Sequence, residues 1–147
     1  MTALDDIYQE KLLAYAGEIV RGERLDDPDA SATVVSRSCG SEVTVDLKIS
    51  DGVITDYGQK VEACALGSAS SSIFASVVVG KTLDEVRRIR ARMRGMLKKN
   101  GPPPDDEWSE LALLEPAKVF ANRHQSILLP FNATVRAGEK ASASDAF

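Results

Sequence analysis

Cysteine and histidine are scarce in this chain of 147 residues, which has two cysteines, Cys39 and Cys64, and one histidine, His124. No apolar run is long enough to cross a bilayer, so no membrane is expected as a partner. The opening MTALDDIYQE is acidic and lacks the basic start and apolar stretch of a secretory signal, which leads to an expected cytoplasmic location. In a reducing cytosol a disulfide between cysteines 25 positions apart is disfavoured. Packing, a reactive thiol and metal ligation stay open as their uses, and a cysteine taken alone is most often a small buried hydrophobe. Positive charge is not in excess either. The net charge of -4 argues against a nucleic-acid partner, and the basic run RRIRARMRGMLKK fits the outer face of one helix. A hydrolytic triad is missing, because serines 68 and 70 to 72 have no histidine and aspartate partners in a suitable pattern. They read as small helix residues that pack closely.

A hydrophobic fraction of 44% and a charged fraction of 27% suit a single globular domain with a modest core. In IYQEKLLAYAGEI, residues Ile7, Leu12, Tyr15 and Ile19 recur at helical spacing and predict an N-terminal amphipathic helix. GERLDDPDASA reads as a loop, and TVVSRS as a short strand. EVTVDLKIS alternates strictly, with Val43, Val45, Leu47 and Ile49 on one face and Thr44, Asp46 and Lys48 on the other. After the turn SDG, VITDYGQKVEA alternates again through Val53, Thr55, Tyr57 and Val61, so the two runs predict a hairpin. Leu66, Ala69, Ile73, Phe74 and Val77 then mark a helix that stops at Gly80. Thr82 and Glu85 form a capping-box pattern ahead of a second helix with the stripe Leu83, Val86, Ile89, Met93 and Leu97. DEWSELALLEP reads as a short helix anchored by Trp108, and VFANRHQSILLPFNATV as a last helix. Pro130 predicts a kink or a late start there. The fold class is therefore α+β: a three-stranded antiparallel sheet covered on one face by helices, with an N-terminal helix. The domain is expected over residues 1–136, with the small polar tail 137–147 disordered.

Both cysteines share an address in this layout. Cys39 falls in the turn between the first two strands, and Cys64 between the last strand and the helix after it. Strands one and three run the same way when the middle one opposes them, so both thiols leave the sheet at one end. Cys64 stands at a helix N-terminus, where unpaired amides and the helix dipole favour negative charge.

These residues resemble the iron–sulfur cluster assembly scaffolds of the IscU, SufU and NifU N-terminal type. The resemblance runs through SCGSEVTVDLKISDGVITDYGQKVEACALGSASSSIFASVVVGKTLDEV, with the opening IYQEKLLAYA similar to the family's first helix. GPPPDDEW lies where SufU-type members carry an insertion, and RHQSILLPFNA resembles the start of the family's last helix, with Arg123 at a position where SufU-type members also have arginine. The chain departs from the pattern at three places. Ser41 stands where the family has aspartate after CG, Ser126 stands where it has its third cysteine, or Gln125 in a register shifted by one, and the segment that usually follows the first helix differs.

Cys39 and Cys64 thus remain of the family's ligand set, and His124 falls beside the missing cysteine. The resemblance implies a metal site of Cys39, Cys64 and His124, with Ser41, Arg123, Gln125 and Ser126 as its neighbours. Three functions follow. The first is a scaffold or carrier, not an enzyme, that binds iron or an iron–sulfur cluster, receives sulfur from a cysteine desulfurase and passes its cargo to recipient apoproteins. The second is a zinc-dependent sulfur acceptor of the SufU kind. The third is a degenerate member that keeps the fold as a protein-interaction module without metal. A homodimer stays open.

Overall fold

The computed structural model describes residues 3–38 and 40–145, with the backbone alone for 3–9 and 143–145. Helix α1, Ala3–Gly17, precedes three strands: β1 Ala30–Val35, β2 Glu42–Ser50 and β3 Val53–Glu62. Helices α2, Ala65–Val78, and α3, Leu83–Lys98, follow. A 3-10 segment, Asp106–Val119, leads through Ala121–Arg123 to the last helix α4, His124–Asp145. The strands form one antiparallel sheet in the order β1-β2-β3. This is the α+β arrangement that the alternating runs imply. Among the described residues no helix is long and apolar enough to cross a membrane.

The sheet buries Val43, Val45 and Leu47 of β2 completely, on the face that the alternation assigns to the core. On β3 the inward residues are Ile54 and Tyr57, whereas Thr55 is exposed. A register shift between Lys48 and Ile49 in the β2–β3 pairing interrupts the period of two there. Strand β1 begins three residues earlier than TVVSRS suggests, because Ala30 already pairs with Leu47. Ser36–Ser38 belong instead to the turn, which a backbone bond of 2.7 Å from the Ser36 amide to the Ser41 carbonyl closes. Gly40 in that turn has φ +71°, a conformation that glycine adopts without strain. Cys39 lies outside the described residues.

Asp46 departs from the alternation. It belongs to the face of β2 opposite the core residues, yet it is fully buried. The loop between α1 and β1 folds back over it: Arg24 forks onto its carboxylate, the Leu25 amide donates at 3.1 Å, and the Ser31 hydroxyl adds a further bond. Burial alone would raise the Asp46 pKa, but these hydrogen bonds and the Arg24 charge hold it below the ordinary carboxylate value.

The helices cover the other face. Helix α4 packs across β1 and β2, α2 lies against β3, and both touch one another. The α3 stripe Leu83, Val86, Ile89, Met93 and Leu97 is buried as its spacing requires, and the Thr82 hydroxyl caps the helix by accepting from the Glu85 amide at 3.1 Å. DEWSELALLEP forms 3-10 turns rather than an α-helix, and these continue to Val119. Pro116 lies within them and has no N–H to donate. Trp108 is buried there and stacks on Phe74 with ring centroids 5.6 Å apart.

At the chain's end the late start of the last helix is as expected, whereas its extent differs. The last helix starts late, at His124, and carries Pro130 in its interior. Helix α4 then continues through the segment expected to be disordered, as far as Asp145. Its small residues are the cause. Ala137 and Ala141, one turn apart, are buried, and a side chain on Gly138 would collide with Leu83. Lys140 adds a 3.0 Å hydrogen bond to the Ser31 carbonyl of β1.

Candidate functional site

The strand pairing carries the two loops of interest to one end of the sheet. Glu42 pairs with Val35 on one side and Glu62 on the other, so the β1–β2 turn and the β3–α2 connection leave the sheet together. The start of α4 closes over them.

Cys64 is the N-cap residue of α2, with extended backbone (φ -64°, ψ 171°). Its carbonyl accepts the first helical bond from the Ser68 amide at 2.8 Å, and its thiol is half-buried. The Cys64 amide donates to Ser41 Oγ at 3.3 Å, and Sγ lies 3.3 Å from Ser126 Oγ. Ser126 Oγ in turn donates to Ser41 Oγ at 3.0 Å. The two serines and the cysteine therefore form one connected group in which both hydroxyls are buried. A hydroxyl offers one proton and two lone pairs. With its proton on Ser41, Ser126 accepts from a neutral Cys64 thiol; rotated, it donates to a thiolate. The group can thus hold the sulfur in either form.

Ser126, not Gln125, is the α4 residue in contact with the thiol. Gln125 is turned to the β1–β2 loop, where its Oε1 accepts from the Ser36 hydroxyl at 3.3 Å and the Ser38 amide at 3.4 Å. The Ser38 hydroxyl reaches the Asn122 carbonyl at 3.1 Å. These bonds fasten the turn that carries Gly40 and Ser41 to the base of α4.

His124 is buried, and its Nε2 lies 2.9 Å from the Lys118 carbonyl. A carbonyl only accepts, so Nε2 carries the hydrogen and the lone pair of the neutral ring is on Nδ1. Nδ1 is therefore the nitrogen through which this ring could bind a metal. The Arg123 side chain is half-buried and forms no hydrogen bond or ion pair with the described residues. Among the described residues no three His, Cys, Asp or Glu side chains gather as a metal site.

Gly67 is the site residue that spacing did not single out. A Cβ at this position would overlap Ser126 Oγ and touch the Ser126 carbonyl, so the bare glycine is what lets α4 approach the start of α2. The same carbonyl has lost its usual helical donor, because the residue four positions on is Pro130. One turn further along α2, Ser70 Oγ donates to the Ile127 carbonyl at 2.6 Å. The buried serines of α2 are thus bonded to backbone carbonyls: Ser71 to Gly67 at 2.9 Å, and Ser72 to Tyr15 at 2.8 Å. They pack and tie helices together, as their lack of triad partners implies. The sequence signal for this close approach is the small-residue run GSASSS itself.

Segments that flank the site residues in sequence also expose apolar side chains. Val119 is 73% exposed and Phe120 53%, immediately before the start of α4, while Val35 at the end of β1 is 52% exposed.

A three-stranded antiparallel sheet under helices, with a thiol on the cap of the helix that follows the sheet, defines a class of small α+β domains carrying a cysteine site at one end. The chain belongs to the NifU-like N terminal domain family, which it matches over residues 8–114. A crystal structure of a nitrogen-fixing NifU-like protein (N-terminal) from Brucella abortus superposes with a TM-score of 0.90 at 45% identity, covering 97% of this chain and 99% of that one. The iron-sulfur cluster assembly scaffold protein IscU of Thermotoga maritima is 31% identical over 80 residues, which are 54% of this chain and 56% of the relative. The chain thus spans about half the length of the curated relatives it matches. A putative SUF-system scaffold, FiSufU from Fervidobacterium islandicum AW-1, shares the fold with a TM-score of 0.81 at 20% identity, over 90% of this chain and 97% of that one.

Proposed function

We propose that this chain serves iron–sulfur cluster assembly as a scaffold or carrier, with iron or a cluster as its cargo. Cys39 and Cys64 supply the thiolates, and His124 supplies Nδ1 as the third donor. The observation that carries this reading is the Cys64 thiol on the α2 cap, half-buried and held by Ser126 at the junction of the β1–β2 turn, α2 and α4. Membership of the NifU-like family and similarity to curated IscU scaffolds support the cargo.

Iron–sulfur clusters are usually held by four thiolates, two of which histidine can replace. Two thiolates and an imidazole leave one position for water, a small thiol or a residue of another protein. Ser126 holds the sulfur by a hydrogen bond and Ser41 holds the Cys64 amide and the Ser126 hydroxyl, rather than either binding metal, since a hydroxyl stays protonated unless a metal acidifies it strongly. Cargo held by so few anionic ligands suits transfer better than storage. In this reading the chain is a carrier and not an enzyme. Sulfur comes from a cysteine desulfurase, for which exposed Val119 and Phe120 offer apolar surface, and recipient apoproteins take the product.

The test is anaerobic incubation of the protein with iron, sulfide and a thiol, followed by assay of iron, sulfide and visible absorption. Charge-transfer absorption with stoichiometric iron and sulfide is expected. It should vanish in Cys39→Ser and Cys64→Ser and weaken in His124→Ala. Tightly held zinc without a cluster would replace this reading by a sulfur-acceptor role, and retention of neither metal would leave an interaction module.

A further inference from the structure

Helix α3 carries five arginines between positions 87 and 94, and they fall into two groups. Arg87 pairs with Asp84 and Glu139, Arg88 with Glu85, and Arg92 with Asp105. Arg90 and Arg94, one turn apart, have no such partner among the described residues. Together with Arg136 of α4 they line an open cleft of about 350 Å³ whose other walls include Val34, Asn132 and Glu139.

Among the described residues no carboxylate comes within 4.0 Å of these three guanidiniums, and their closest acceptors are neutral. Arg94 Nη2 reaches Asn132 Oδ1 at 3.5 Å, and Arg136 Nη1 reaches the Thr33 carbonyl at 3.4 Å. Arg90 is half-buried. Burial and the charges of Arg94 and Arg87 lower its pKa, with Glu139 opposing them. In a protein of net charge -4, three cations crowded against a single carboxylate that already serves Arg87 form an unneutralised concentration of positive charge.

We propose that this cleft is a binding site for a phosphate-bearing anion, held by the guanidiniums of Arg90, Arg94 and Arg136. A single carboxylate offers two oxygens and one charge, which one guanidinium fork satisfies. Three forks call for more oxygens and more charge, and a phosphate monoester or a diphosphate supplies both. The volume lies at the lower end of the range for small-molecule sites, which suits a diphosphate-sized group. Asn132 lies six residues beyond Ser126, about 9 Å along α4, so the cleft is separate from the thiol site and owes nothing to its ligands.

The test uses the full chain at constant ionic strength, with inorganic pyrophosphate, adenosine diphosphate and a short Asp/Glu peptide as probes. Binding is followed by calorimetry and by the arginine Nε–Hε resonances. Saturable binding of pyrophosphate is expected, weakened about tenfold or more in Arg94→Gln and Arg136→Gln. Arg88→Gln, whose arginine is paired outside the cleft, should change it by less than about twofold. Both cleft arginines chosen are exposed, so these variants should keep the wild-type unfolding midpoint, and Cys64→Ser should bind like the wild type. Tighter binding of the nucleotide than of pyrophosphate would identify an organic phosphate as the ligand; the reverse order would identify inorganic phosphates. Absence of saturable binding, or binding indifferent to Arg94→Gln and Arg136→Gln, overturns the proposal. Capture of the acidic peptide without pyrophosphate overturns it too, since the patch would then be a protein-docking surface.

Discussion

Asp46 shows how one residue can oppose the pattern around it. Its carboxylate is fully buried on the face of β2 that strict alternation assigns to solvent. Because its folded pKa is lowered, it contributes stability that is fully present above the ordinary carboxylate pKa of about 4 and is lost as pH falls through the folded value. Arg24 is about half-exposed, so water screens much of the ion pair, and the bonds from the Leu25 amide and the Ser31 hydroxyl matter more. Asp46→Asn should lower stability at pH 7 by roughly 2 kcal/mol. Urea unfolding from pH 7 to pH 3 checks this: the wild type should lose stability on acidification, and the variant should show a flatter acid limb. Val43, Val45 and Leu47 were legible from the sequence because their burial follows from period alone. Asp46 was not, because its burial depends on a loop twenty residues upstream whose return path leaves no periodic trace.

Among the elements, α3 and α4 mark the limits of legibility. The stripe of α3 has large apolar residues at helical spacing and a threonine cap, so both its existence and its buried face could be read directly. The end of α4 has alanine, glycine and serine, whose composition reads as an unstructured tail. What orders it is proximity: the small side chains allow the helix to lie against Leu83 and β1. Arg136 and Lys140 also bond the Thr33 and Ser31 carbonyls of β1, an edge strand that would otherwise offer those groups to another chain. Deletion of residues 137–147, which removes Lys140 and the buried Ala137 and Ala141 but leaves Arg136, should lower stability by roughly 1–3 kcal/mol and increase self-association. Thermal unfolding and light scattering read both effects. An unchanged midpoint would mean that the segment contributes nothing to the fold.

For the molecule as a whole, Phe74 is the meeting point. Its ring lies 5.8 Å from Tyr57 of β3, 5.6 Å from Trp108 of the 3-10 segment and 4.8 Å from Phe131 of α4. The sheet, α2, the 3-10 segment and α4 thus share one aromatic cluster. Phe74→Ala should cost about 3–5 kcal/mol, a large part of a small domain's stability, and chemical denaturation should show one cooperative transition moved to much lower denaturant. The three strands, helices α1 to α3 and the common end of the sheet were legible, since each depends on local patterning. The candidate site was legible only as a neighbourhood. That Ser126 meets the thiol while Gln125 ties down a turn depends on the rotation of α4 about its axis, which the spacing of residues 123–126 leaves open by one position.

Gly67 bears on what else the site could hold. Serine and cysteine differ by a single atom, and Ser126 already stands in contact with Cys64 across a gap that Gly67 keeps clear. A sulfur at position 126 would therefore find its seat already formed, with no rebuilt backbone. A larger residue at Gly67, by contrast, would wedge the two helices apart and close that seat.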